Sequence, residues 1–476
     1  MRALSLTLVL AFCLAAVAAA ADSTAEFNAG VEAFNRGDFA AAATHFKPVT
    51  EQRPTEAAAW AWLGTAYLRA GNNDEAIPAL EKALELDPQA APMASNLGNA
   101  YLAKGDAEHA IAAYQKAIAA SPDYADGYYN LGNAYLSLNR LADARKAHGQ
   151  AVALDPKNAG AQNNLGVVAQ RLGEQREALQ HYREAARLSP DSATFQMNLG
   201  VAARAVGQND EAQQALQGAL DLDPKLLDAQ FNLGLVYFAK GRFDDAAEAL
   251  KKAIALKPDD FMANYDLGIT QARLGKSDEA MASYRRALEI RPKDPSANNN
   301  LAALLLEQGK VDEAIPLLET ATEAAPRVAD YHQNLAIAHT RKGDQEKAAA
   351  AWQRVASLSP RNLPAHEALA FRAYQTGDDA QAEKEYLAVL QIDPNRASAL
   401  TNLGLLYYKQ RKLDEAVERL EAAVKADANY ALAHNNLGVV YEAKGEKEAA
   451  RAEYRKALQL DPKNQSARAN LARLGP

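Results

Sequence analysis

The chain has 476 residues, of which 52 are Lys or Arg and 60 are Asp or Glu, so its formal net charge is −8 at neutral pH. Because phosphate binding requires a basic surface, this acidic balance argues against nucleic acid as a partner. The one cysteine, Cys13, lies near the amino terminus. Its position excludes a disulfide framework, a cysteine nucleophile and thiolate metal ligands from the rest of the chain.

The first 21 residues have the composition of a secretory signal peptide. One basic residue, Arg2, precedes an apolar run from about Ala3 to Ala16, and small residues follow up to Ala21. The run is too short for a comfortable membrane span, so cleavage after Ala20 or Ala21 is favoured over an uncleaved anchor. We therefore expect an exported protein, periplasmic or secreted, with no integral membrane span after cleavage.

From residue 23 to residue 464 the sequence consists of thirteen units of 34 residues with no insertion. The second unit begins at Ala57 and has Leu63 at position 7, Gly64 at position 8, Ala76 at position 20 and Pro88 at position 32. Apolar residues at positions 4, 7, 8 and 11, and again at 20, 24 and 27, predict two amphipathic helices per unit. Small residues at positions 8 and 20 allow these helices to cross closely. Gly at position 15 and Pro at position 32 end them.

This spacing resembles the tetratricopeptide (TPR) repeat, a helix-turn-helix unit of the same length. One helix pair cannot bury both of its apolar stripes, so the pairs must stack on one another. We predict an all-α solenoid of thirteen contiguous TPR repeats over residues 22–464. The resemblance implies a right-handed superhelix whose concave wall is made of the first helices. Residues 465–476 repeat the first-helix pattern, with Leu471 at position 7, and we predict a capping helix there.

Position 6 is the main candidate for function, because it is Asn in ten of the thirteen units although Asn is a poor residue for a helix interior. The recurring Asn-Leu-Gly phrase resembles the asparagine ladder in the TPR superhelix of O-linked N-acetylglucosamine transferases, without the catalytic domain of that family. That resemblance implies binding of an extended peptide through its backbone, since an amide both donates and accepts hydrogen bonds. The alternatives are that the amides bond neighbouring repeats, or that tandem duplication copied them.

The predicted peptide-binding groove combines the ladder with other residues of the same helix face. For its two arginines, an ordinary solvated helix face is the alternative interpretation. The predicted groove residues are Asn96, Asn99, Asn130, Asn133, Asn164, Asn198, Asn232, Asn300, Asn334, Asn402, Asn436, Arg171 and Arg273.

The sequence offers little for catalysis or metal binding. It contains no phosphate-binding Gly-rich loop, no His-Glu-x-x-His helix and no nucleophile elbow. His332, His339 and His366 lie at positions 4 and 11, so we interpret them as substituted packing residues and expect no metal and no cofactor. The Lys and Arg that the carboxylate clamp of some TPR co-chaperones requires at positions 5 and 6 are absent.

We therefore predict a non-enzymatic adaptor of the bacterial cell envelope that holds an extended segment of a client protein in its Asn-lined groove. The alternative function is a structural scaffold that self-associates or docks partners on its convex face.

Overall fold

The computed structural model describes residues 23–475, and within them it contains 27 helices and no strand. Each 34-residue repeat forms one helix pair. Odd-numbered helices are the first helices of the repeats, even-numbered helices are the second, and α27 follows the last repeat. The predicted all-α repeat architecture is confirmed. The predicted signal peptide lies outside the described residues.

The chain is organised as two compact units, the first ending at Leu256 and the second beginning at Lys257. The helices of the first unit are α1 (23–35), α2 (Phe39–Gln52), α3 (Ala57–Arg69), α4 (Asn73–Leu86), α5 (Ala91–Ala103), α6 (Ala107–Ala120), α7 (Ala125–Ser137), α8 (Leu141–Leu154), α9 (Ala159–Arg171), α10 (Gln175–Leu188), α11 (Ala193–Ala205), α12 (Asn209–Leu222), α13 (Leu227–Ala239) and α14 (Phe243–Leu256).

The helices of the second unit are α15 (Phe261–Arg273), α16 (Ser277–Ile290), α17 (Pro295–Glu307), α18 (Val311–Ala324), α19 (Ala329–Lys342), α20 (Gln345–Leu358), α21 (Leu363–Thr376), α22 (Asp379–Ile392), α23 (Ala397–Lys409), α24 (Leu413–Ala426), α25 (Ala431–Lys444), α26 (Lys447–Leu460) and α27 (Gln465–Arg473). Among the residues that the structure describes, no helix is both long enough and apolar enough to span a bilayer.

The two helices of a repeat cross at the small residue of position 8. A Cβ atom built on Gly98 would lie 2.4 Å from the Tyr114 ring, and one built on Gly64 would lie 2.6 Å from the Leu80 side chain. Real Cβ atoms do not approach other atoms this closely, so each large side chain at position 24 packs directly on the glycine backbone. The position-20 alanines, such as Ala76, are fully buried beside this crossing.

The first helix of each repeat ends close to position 15, and the second helix ends close to position 31. Position 15 has a positive φ in every repeat and is Gly in eleven of them, with Asn139 (φ 55°) and Arg411 (φ 64°) as the exceptions. The residue before the position-32 proline leaves the helical conformation, as at Asp87 (φ −135°, ψ 88°), because a following proline disfavours that conformation. Asp427 has φ −140° although Ala428 replaces the proline, so the second helix of that repeat ends without it.

Packing inside each unit is sequential. Each helix contacts the next helix along the chain, and many first helices also contact the first helix of the next repeat, as α3 does with α5 and α17 with α19. The first helices therefore lie side by side within each unit. We call the surface formed by their positions 2, 5, 6, 9, 12 and 13 the first-helix face.

Candidate peptide-binding face

The position-6 asparagines bond the repeat that precedes them. Asn198 donates from Nδ2 to Oδ1 of Asn163 at 2.7 Å, and Asn334 donates to Oδ1 of Asn299 at 2.8 Å. In both pairs the acceptor stands at position 5 of the preceding repeat, 35 residues earlier. The same geometry joins Asn130 to Ser95, Asn300 to the Tyr265 hydroxyl and Asn470 to Asn435.

Two other asparagines of the ladder reach position 9 of the preceding repeat instead. Asn164 donates to Oδ1 of Asn133 at 2.7 Å, and Asn96 donates to the Thr65 hydroxyl at 3.1 Å. Asn232 differs again, because its Oδ1 accepts from Nε of Arg204 at 3.0 Å. Hydrogen bonds between neighbouring repeats are thus the direct structural role of these amides.

Adjacent asparagines link the bonds into longer chains. Asn163 donates to Oδ1 of its neighbour Asn164 at 3.1 Å, so Asn198, Asn163, Asn164 and Asn133 form one continuous chain of amides across three repeats. A corresponding chain in the second unit runs through Asn334, Asn299, Asn300 and Tyr265. Hydrogen bonds in such chains polarise one another, which strengthens the hold between repeats.

The other predicted groove asparagines have different surroundings. Asn99 accepts from the Tyr114 hydroxyl at 2.7 Å. Asn402 is half-buried beside the hydroxyl of Tyr386, whose burial raises its pKa to about 12. Asn436 is 7% exposed; its Oδ1 accepts from Asn435, whereas its Nδ2 is buried and has no partner among the described residues.

The two predicted groove arginines are exposed cations of the face that have no partner within residues 23–475. Arg171 and Arg273 are exposed at position 13, and neither makes an ion pair or a hydrogen bond with any residue that the structure describes. Another basic residue at position 13, Lys409, is held by Asp379 at 2.7 Å. Arg171 and Arg273 therefore remain available to an anionic ligand.

The histidines singled out in the sequence pack as expected, but position 4 also supplies a hydrogen-bond donor that the pattern did not predict. Nε2 of His332 lies 3.2 Å from the carbonyl oxygen of Pro326, and Nε2 of His366 lies 3.1 Å from that of Pro360. His339 is 3% exposed. Within residues 23–475, no group of three or more His, Cys, Asp and Glu side chains is arranged to hold a metal ion.

The sequence prediction included the position-9 acceptor Asn133 but omitted the acceptors at position 5. Asn163, Asn299 and Asn435 each stand at position 5, directly before a ladder asparagine, and each accepts from the next repeat. The Asn-Asn-Leu phrase that they begin recurs every four repeats and marks these places in the sequence.

A stack of helix pairs defines a helical-repeat protein, and comparisons of the sequence identify which kind. A family model described as the Cilia and flagella-associated protein 70 C-terminal domain matches residues 9–264. Models of the tetratricopeptide repeat match residues 237–295 and 271–337, 372–411, and 401–465. The chain belongs to the tetratricopeptide repeat family.

Solved structures of TPR proteins are also similar to parts of the chain. YrrB, described as a TPR protein with an unusual peptide-binding site, is 28% identical, with 39% of this chain and 95% of YrrB covered and a TM-score of 0.36. Pseudomonas aeruginosa pilF is 21% identical, with 45% and 96% covered and a TM-score of 0.41. The C-terminal part of a Cytophaga hutchinsonii TPR protein is 23% identical, with 51% and 99% covered and a TM-score of 0.43. No curated protein matches the chain.

Proposed function

We propose that this protein is an adaptor that holds an extended segment of a client protein against its first-helix face. TPR proteins are protein-interaction scaffolds and are typically not catalytic. We assign the same kind of role to this chain, without enzymatic activity, and place its client on the amides of the ladder.

The observation that supports this proposal is that several amide oxygens of the ladder are free to accept hydrogen bonds. In the described residues, the Oδ1 atoms of Asn96, Asn130, Asn198 and Asn334 accept no hydrogen bond, and they are not buried. Because each Nδ2 is fixed to the preceding repeat, each oxygen is held in one orientation before a ligand arrives. An acceptor fixed in advance loses little conformational entropy when a peptide N–H binds to it.

Substitution of the exposed arginines Arg171 and Arg273 tests whether peptides bind at the first-helix face. Peptides selected from a random library on the immobilised full-length protein would be measured by fluorescence anisotropy. We expect the double variant Arg171→Glu, Arg273→Glu to bind acidic selected peptides roughly tenfold more weakly, because two favourable charge interactions become repulsive.

The matched control is Arg176→Glu, which reverses another exposed charge, on α10, the second helix of the same repeat as Arg171. We expect this control to bind like the unmodified chain. If binding survives both groove substitutions and is lost in the control, partners dock on the second helices, which is the alternative scaffold function.

We further propose that the protein is exported to the cell envelope, on the evidence of the signal-peptide composition of residues 1–21. Full-length protein expressed in a bacterial host and recovered from the periplasm or medium should begin at Ala21 or Asp22. Intact-mass spectrometry measures this directly, and a mass that retains residues 1–20 would contradict cleavage.

A further inference from the structure

A cavity of about 420 Å³ opens on the first-helix face of the second unit where the asparagine ladder is interrupted. The interruption is at Ala368, which occupies position 6 of α21. The cavity lies between α19, α20 and α21, and its wall includes Ile337, Trp352, Ala368 and Phe371. Its size is within the range of cavities that enclose ligands, about 300–1,000 Å³.

The wall of this cavity is apolar and partly open to solvent. Phe371, at position 9 of α21, is 55% exposed, which makes it the most exposed large hydrophobic side chain among the described residues. Trp352 is 8% exposed and lies beneath it in the same cavity. An exposed Phe beside a buried Trp offers apolar surface that a ligand side chain can cover.

The charge around the cavity is positive, although the chain as a whole is acidic. Arg341 and Arg372 both line it, and none of its lining residues is acidic. Arg372 makes no ion pair with any residue in the described part of the chain. Arg341 uses its Nη1 to donate to the Leu306 carbonyl oxygen, and its other N–H groups remain available. Arginine binds carboxylates through two parallel hydrogen bonds when both groups are accessible.

We propose that this cavity, the Phe371 pocket, receives a large apolar side chain of the client segment, and that Arg341 and Arg372 bind carboxylates that follow it in the client sequence. The proposal rests on the proposed function and adds a specificity element to it. The ladder binds a peptide backbone without regard to sequence, whereas the Phe371 pocket selects an aromatic or large aliphatic residue next to Asp or Glu.

The test uses a fluorescein-labelled Gly-Ser peptide with a central Phe-Asp-Asp, titrated with the full-length protein. Matched probes replace its Phe with Ser, or both Asp with Asn. We expect each replacement to weaken binding roughly tenfold or more, because one removes the burial of an aromatic side chain and the other removes two charge-assisted hydrogen bonds.

Two protein variants address the pocket, namely Phe371→Ala and the double variant Arg341→Gln, Arg372→Gln. Each should weaken binding of the Phe-Asp-Asp probe by a similar factor. The control is Leu387→Ala, which removes a 37% exposed side chain from α22, the second helix of the same repeat. Circular dichroism confirms that each variant is folded, and we expect the control to bind the probe normally.

The outcomes separate this inference from the proposed function. If the probe binds equally to the pocket variants and to the unmodified chain, or fails to bind while library-selected peptides still bind the first-helix face, the Phe371 pocket is not a specificity site. If neither the probe nor any selected peptide depends on first-helix residues, the proposed function fails as well.

Discussion

The triple substitution Asn96→Ala, Asn130→Ala, Asn198→Ala should weaken the binding of selected peptides at least tenfold, because it removes three of the free ladder oxygens, and should also lower the stability of the first unit. Each change removes a hydrogen bond to the preceding repeat, which contributes about 0.5–1.5 kcal/mol. The better helix propensity of Ala recovers up to about 0.7 kcal/mol per site. The expected net loss in the free energy of unfolding is roughly 1–3 kcal/mol.

Peptide anisotropy, measured well below the unfolding midpoint, and urea unfolding followed by circular dichroism give the two quantities. The control is Arg183→Gln with Lys240→Gln, which breaks the Arg183–Glu211 pair at 2.8 Å and the Lys240–Asp210 pair at 2.6 Å. It also loosens contacts between repeats, but these contacts involve α10, α12 and the residue after α13 rather than the ladder. Undiminished peptide binding by the folded triple variant would show that the client does not bind the ladder. An unchanged free energy of unfolding would show that the hydrogen bonds between repeats contribute no net stability.

The substitution His148→Leu should stabilise the first unit by about 1–3 kcal/mol at pH 7.5, because burying a polar group without a hydrogen bond is costly. The His148 side chain is fully buried, and neither ring nitrogen has a hydrogen-bond partner in the part of the chain that the structure describes. It stands at position 24, where Leu80 and Leu216 pack against glycines in other repeats. Gly132 provides the same crossing here, so Leu fits the space.

The stabilisation should grow as the pH falls. Burial lowers the pKa of His148 from 6.5 to about 4, so between these values the unfolded chain binds a proton that the folded chain does not. The free energy of unfolding of the unmodified chain is therefore unaffected by this titration above pH 6.5 and decreases as the pH falls towards 4, by up to about 3 kcal/mol. The Leu variant removes this dependence.

Urea unfolding of both proteins at pH 7.5 and pH 5 measures the effect. The exposed His109, which pairs with Asp106 at 2.7 Å, supplies the control variant His109→Gln. This control should keep the pH dependence of the unmodified chain. Equal pH dependence in the His148→Leu variant and the unmodified chain would show that His148 is already protonated or solvated in the folded state.

The helix pairs could be predicted from the sequence because their determinants are local or repeat at a fixed interval. The glycines and prolines that end the helices act on their own backbone, and the contact of Gly98 with Tyr114 lies within one repeat. The bonding partners of the ladder could not be predicted in the same way. Whether an asparagine reaches position 5, as Asn198 does, or position 9, as Asn164 does, depends on how consecutive repeats are placed against each other.

Two further features depended on the three-dimensional structure for the same reason. The exposure of Phe371 results from the placement of three helices, and position 9 carries an apolar residue in most other repeats as well. The donor role of His332 and His366 requires that position 4 lies under the carbonyl of position 32, a contact that crosses a repeat boundary. The pattern of apolar positions predicts that the residue at position 4 packs against its neighbours, but it does not predict this hydrogen bond.

Because the packing is sequential and the repeat length is constant, the gene can lose or gain whole repeats without disrupting the remaining helix pairs. In-frame loss of the codons for residues 159–192, one complete repeat, would join position 34 of one repeat to position 1 of another and leave the helix pairs on either side intact. Asn198 would then face Tyr129 at position 5, and a tyrosine hydroxyl there already accepts from Asn300 in the second unit. The side-chain bonds between repeats thus tolerate gain or loss of whole repeats, so the number of repeats can change while the bonding between the remaining repeats is kept.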